Sequence, residues 1–345
     1  MALSPNQVRQ WREHGFCVSH CAPGEGDHSV LTSAEADQFK QAANHANLSA
    51  SQDFGGLGFP FLRQGMHDLN QLALHPLLIA SCQQLLGEKD LVLSQAELWF
   101  KQGNPTTTAT PIEYRNLDQR MHMDFPNHYL ACPPDWYSPD AVAMIVYLDN
   151  SDECGGGETR LVPRQSSADP AYQFPQVLQH MPGVGRLPWI NDRQQAEAYF
   201  ARHHPSLFAF REQLYSREIK LPYRRGTVLF YRLDVWHRGT PMATSSQSRA
   251  VVNLMYKSNQ SATRITQWHK GWATNAYNSW ALPNRTFPPQ VGAFEQLFAS
   301  LTSQQRTCLG FPSPTDREFW TPSMLTAVRN RYPDMDLSEY QASKY

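Results

Sequence analysis

His122-Met123-Asp124, with His237 far downstream, carries the first structural information in this sequence. Successive side chains on a β-strand point to opposite faces, so His122 and Asp124 share one face and Met123 points away. A third ligand from another strand completes a two-histidine, one-carboxylate face around a metal, and His237 follows at the far end of a strand-like run at 226–231. Such a face leaves about three coordination positions open and suits non-haem Fe(II) that binds a cosubstrate and dioxygen together. A His-x-Asp triplet alone is a weak signal, so the rest of the chain has to support it.

On either side of the triplet the pattern is that of short strands. Residues 91–101 alternate, with Gln95, Glu97, Trp99 and Lys101 on one side. The run Val142-Ala143-Met144-Ile145-Val146-Tyr147-Leu148 is continuously apolar, as in a strand covered on both faces. A glycine turn at 155–157 leads into a strand at 158–163, and 249–257 is another, with Arg249, Val251, Asn253 and Met255 on one face. Many short strands with metal-type residues on separate ones predict a mainly β fold with flanking helices, a double-stranded β-helix (jelly-roll, cupin-like barrel).

Helices are expected around this core. Ser4 caps one running to His14, with Pro5 in its first turn. Thr32 or Ser33 caps a second to about Asn47, and 67–86 holds a helical pattern broken at His75-Pro76 and closed by Gly87. Between strands, Asn191 or Asp192 caps a helix to about Arg202, and Ser206 another to about Tyr215. Thr321-Pro322 begins a last helix. The expected partition is one domain over 1–345: a core of 1–165 and 222–258, a helical insertion at 166–221, and an aromatic-rich C-terminal extension at 259–345. Residues 180–215 are expected either to cover the metal or to buttress the barrel's outer wall.

Composition narrows the function. A net charge of −1, with 18% charged residues and no lysine/arginine cluster, argues against nucleic acid or a membrane surface as partner. No window approaches the roughly 20 apolar residues of a membrane span. The six cysteines, at 17, 21, 82, 132, 154 and 308, show no metal-binding spacing and are expected to be free thiols in a reducing, cytoplasmic compartment.

Arg249 is costly to bury at the start of an apolar strand unless an anion pairs with it. A dicarboxylate solves this, one end chelating the metal while the other takes two parallel hydrogen bonds from the guanidinium. Thr240, in the loop between His237 and Arg249, offers a hydroxyl donor to the same group.

These residues resemble the phytanoyl-CoA dioxygenase family of Fe(II)- and 2-oxoglutarate-dependent oxygenases. The likeness runs through Leu3-Ser4-Pro5-Asn6-Gln7-Val8 and Glu13-His14-Gly15-Phe16-Cys17-Val18, then Leu98-Trp99-Phe100-Lys101 and His122-Met123-Asp124. It continues in Val146-Tyr147-Leu148-Asp149, Gly157-Glu158-Thr159-Arg160-Leu161-Val162-Pro163, Gly226-Thr227-Val228-Leu229-Phe230, His237-Arg238-Gly239-Thr240-Pro241 and Arg249. The resemblance implies iron ligands His122, Asp124 and His237, with Arg249 holding the distal carboxylate of 2-oxoglutarate. Thr240 and Gln95 are further cosubstrate contacts on the same basis. It also implies a dioxygenase that hydroxylates a C–H bond of a small organic substrate and releases succinate and CO₂. Asp124 fits hydroxylation, because related halogenases carry a small residue there. Two features depart from the family: Pro163-Arg164-Gln165-Ser166 replaces its usual Pro-Gly-Ser-His, and the insertion and extension exceed its core. The rival readings are a non-catalytic jelly-roll module that binds metal or ligand, and a cupin-like metalloenzyme that does not use 2-oxoglutarate.

Overall fold

The computed structural model describes residues 2–21, 27–45, 67–103, 118–125, 135–173, 190–242, 248–258, 298–309, 311–317 and 319–341. Helix α1 (Pro5–His14) forms as its sequence dictates. The Ser4 hydroxyl accepts the Gln7 N–H, and the Gln7 side chain accepts that of Ser4, which satisfies two otherwise orphaned donors. Gly15, at φ 91°, ends the helix and turns the chain into β1 (Phe16–Ser19). Helices α2 (Ser33–His45), α3 (His67–Ala73) and α4 (Pro76–Leu86) follow, the last two separated at the expected His75-Pro76 break.

Next come β2 (Leu91–Gln102), β3 (Ala141–Tyr147), the short α5 (Ser151–Cys154) and β4 (Thr159–Leu161). Helices α6 (Arg193–His203) and α7 (Pro205–Arg217) precede β5 (Ile219–Lys220). The chain then gives β6 (Val228–Tyr231), β7 (His237–Gly239) and β8 (Ser248–Ser258), and the C-terminal part holds α8 (Ser303–Cys308), α9 (Pro322–Arg331) and α10 (Ser338–Gln341). Asp192 caps α6 as expected, but α7 is not capped by Ser206. Pro205 opens that helix and pushes His204 out of the helical region (φ −143°, ψ 67°), so the boundary falls two residues earlier.

The strands make two antiparallel sheets, ordered β1-β6-β3-β8-β2 and β5-β4-β7. A bridge between His122 and His237 brings the 122 segment alongside β7 and so widens the small sheet. From β2 onward the chain crosses repeatedly between the two sheets. The regular strand expected through His122-Met123-Asp124 shrinks to that single bridge. Beyond it the Asp124 and Phe125 N–H groups both turn to the Leu233 carbonyl, at 2.9 Å each, and the chain bends.

The large sheet has two unlike faces. Val142, Met144, Val146, Phe230, Val252, Leu254 and Tyr256 pack with residues of α1–α4 and of the C-terminal helices in one hydrophobic core. The opposite face pairs Tyr231 with Ala143 and Ala143 with Met255, and it also carries Arg249, Asn253, Gln95, Glu97 and Lys101. This second, more polar face is turned toward the 122–124 segment, since Tyr231 bonds Asp124. No helix among the described residues is long and apolar enough to cross a membrane. Cys17, Cys21, Cys82, Cys154 and Cys308 are free, and Cys132 lies outside the described residues.

Candidate metal centre

His122 and His237 exchange both backbone hydrogen bonds, at 3.0 and 2.9 Å, which fixes their side chains next to each other. Their rings lie 4.3 Å apart, and one ligating atom each from His122, Asp124 and His237 falls within 4.8 Å of the others. The Nε2 atom of His122 is 3.9 Å from Asp124 Oδ1, and that of His237 is 3.4 Å from Oδ2. Three donor atoms this close suit one cation at their centre.

The hydrogen bonds behind the triad decide which atoms are offered. His122 Nδ1 lies 3.0 Å from the Arg120 carbonyl and His237 Nδ1 2.9 Å from that of Val235. A carbonyl only accepts, so each Nδ1 carries a proton and Nε2 is the ring atom left to face a metal, the arrangement that orients metal-ligating histidines. Burial first, and then the neighbouring His237, push the His122 pKa down to about 3. Its ring is therefore neutral, and its approach to Asp124 is that of two ligands rather than an ion pair. The Tyr231 hydroxyl donates to Asp124 Oδ2 at 2.9 Å and holds the carboxylate in place. Nothing in the local sequence marked Tyr231, because its partner lies 107 residues away.

The other expected residues divide. Arg249 is 9% exposed, and its Nη1 donates to the Gly157 carbonyl. The guanidinium carbon lies 5.6 Å from the Tyr147 ring centre, while Nε is buried without a hydrogen-bond partner. A buried cation with an unused donor fits an anion that arrives as ligand. Gly157 sits at φ 76°, and a side chain there would meet Met242 at 2.9 Å and Arg249 Nη1 at 3.5 Å, so glycine keeps this approach open. Thr240 stands on the same side of the site, its hydroxyl donating to the Glu158 carbonyl at 2.9 Å. Gln95 is not brought to Arg249. The β8 partner of Gln95 is Met255, six residues along from Arg249, and its amide donates to Glu97 Oε2 at 3.0 Å.

Behind the 122 segment, α6 and α7 supply a buried clamp that sequence reading missed. Arg211, 1% exposed, donates through Nε to both Glu197 oxygens at 2.9 Å and through Nη2 to the Met121 carbonyl at 3.1 Å. The Tyr215 hydroxyl accepts the Met121 N–H at 3.0 Å and donates to Glu197 at 2.6 Å. The described helices of the insertion thus brace the residue next to His122. Residues 174–189, which include the entry side of the expected lid, lie outside the described residues.

No protein-family model and no curated protein sequence matches this chain. Among solved structures, it is similar to the non-heme alpha ketoglutarate dependent epimerase SnoN from nogalamycin biosynthesis, with 16% identity over 73% of this chain and 82% of that one, TM-score 0.48. It is also similar to EctD from S. alaskensis with 2-oxoglutarate and 5-hydroxyectoine (16% identity, 75% and 77%, TM-score 0.45). A third is HygX from Streptomyces hygroscopicus with nickel and 2-oxoglutarate bound (16% identity, 74% and 87%, TM-score 0.44).

Proposed function

We propose that this chain is an Fe(II)- and 2-oxoglutarate-dependent dioxygenase, built as a double-stranded β-helix, that hydroxylates a C–H bond of a small organic substrate and releases succinate and CO₂. The observation that carries this reading is the convergence of His122, Asp124 and His237, with both Nδ1 protons committed to backbone carbonyls. SnoN, EctD and HygX bear iron, nickel or 2-oxoglutarate in their own descriptions, but the reading rests on the ligand geometry.

In it, His122 and His237 offer Nε2 and Asp124 a carboxylate oxygen to Fe(II). Bound iron supplies, with 2-oxoglutarate and dioxygen, an oxidant able to break a C–H bond. The chain's own residues position the reactants. Arg249 takes the distal carboxylate of 2-oxoglutarate, Thr240 stands beside that end, and Tyr231 keeps Asp124 oriented. The phytanoyl-CoA dioxygenase family remains the resemblance that best accounts for the sequence fragments. One catalytic unit over 1–345 and, given the free thiols, a cytoplasmic location complete the proposal.

Succinate release that depends on both Fe(II) and 2-oxoglutarate tests it. Ala at His122, Asp124 or His237 is expected to abolish turnover while leaving a folded chain. Half of the wild-type rate in His237→Ala removes the triad from consideration.

A further inference from the structure

The inner face of the large sheet is electrically bipolar. At one end Arg249 pairs in register with Lys101, both buried. Four residues back along β2, Glu97 pairs with Asn253. Glu97 is 7% exposed and takes part in no ion pair among the described residues. Two neutral donors, Trp99 Nε1 at 2.8 Å and Gln95 Nε2 at 3.0 Å, converge on its Oε2 and leave Oε1 without a donor there. Directly across the strand pair, the side-chain oxygen of Asn253 is buried with no hydrogen-bond partner.

This end also faces the metal centre. Glu97 shares its face and its row of cross-strand pairs with Asn253, Ile145 and Leu229, one row from Tyr231.

A carboxylate withdrawn from water and given no cation is costly, as is an amide oxygen given no donor. Both deficits call for the same complement, a group that is positive and carries several N–H bonds. We propose that Glu97, with Asn253, forms the subsite that receives a protonated amine of the substrate. This rests on the oxygenase reading and gives that reading a substrate class. The dicarboxylate cosubstrate takes the cationic end of the face, and an amine-bearing substrate takes the anionic end.

The test is a thermal-shift and calorimetric titration of the metal-free protein with cyclohexylamine, L-lysine and glucosamine, each against its N-acetylated counterpart. Linkage makes a specific ligand raise Tm. At least one amine is expected to bind at least tenfold tighter than its neutral counterpart, and Glu97→Gln, close in shape, is expected to erase that preference. Equal binding of amines and N-acetyl forms, or an undiminished preference in Glu97→Gln, overturns the proposal. Should Glu97→Gln melt well below wild type before any ligand is added, Asn253→Leu is read by the same rule. Succinate release by wild type is measured separately. Its absence with the amine preference intact defeats the oxygenase reading alone, and its presence without amine preference defeats the subsite alone.

Discussion

Arg249 was legible at the scale of a single residue because a cation among Val251, Val252, Leu254 and Met255 has to be compensated by something. Its compensation in the structure is partial: one donor reaches the Gly157 carbonyl and Nε reaches nothing. That remainder fits the distal carboxylate of 2-oxoglutarate. A desolvated, charge-assisted pair is worth about 2–4 kcal/mol, so Arg249→Ala is expected to raise the apparent KM for 2-oxoglutarate by roughly one to three orders of magnitude. Fe(II) affinity should stay nearly constant, since the guanidinium is no ligand. Steady-state kinetics at fixed iron gives the answer, and an unchanged KM assigns the distal carboxylate to another cation. Gln95 shows the limit of the same kind of reading. Alternation put it on the inner face, but which end of that face it serves is set by register with β8, and register is a property of the pair of strands.

At the scale of elements, local chemistry was readable and distant pairing was not. The Ser4 cap, the Pro76 start and the Gly87 stop involve residues within one or two turns of each other, and all three stand where their sequence puts them. The clamp on Met121 is the opposite case. Glu197 and Arg211 lie on different helices, 14 residues apart, and meet only because α6 packs against α7 behind the His122 segment. Buried in this way, the pair stabilises little as a unit, but breaking it is expensive because the partner's charge stays behind. Arg211→Met is therefore expected to cost about 3–5 kcal/mol in urea unfolding, and Arg211→Met with Glu197→Met considerably less. Both should also weaken Fe(II) binding, since the Met121 backbone loses a donor next to a ligand. A single variant that loses under about 1 kcal/mol shows the clamp to be dispensable.

For the whole molecule, the least legible feature is where the C-terminal part belongs. From composition alone 259–345 reads as an aromatic-rich extension. Its described residues Phe298, Leu301, Trp320, Leu325, Val328, Tyr332, Leu337 and Tyr340 are instead buried in the same core as Val142, Val252 and Leu254 of the sheet. Hydrogen bonds tie them in as well: Gln305 donates to the Leu74 carbonyl, and Gln304 to the Gln83 side chain, both at 2.8 Å. The sheet's inner face mixes Glu97, Lys101 and Arg249 with a smaller apolar cluster that includes Ala143, Tyr147, Leu229, Val251 and Met255, so its outer face carries the larger share of apolar burial, and α8–α10 cover part of that face. Each large side chain uncovered forfeits about 1.5–3 kcal/mol, and a domain's whole stability is about 5–15 kcal/mol. A chain ending at residue 297 is thus expected to lose its cooperative thermal transition and to expose apolar surface that binds a hydrophobic dye. A truncated chain that melts within a few degrees of full length would show that the sheet and the N-terminal helices suffice, and that 298–341 is an appendage to the site's scaffold.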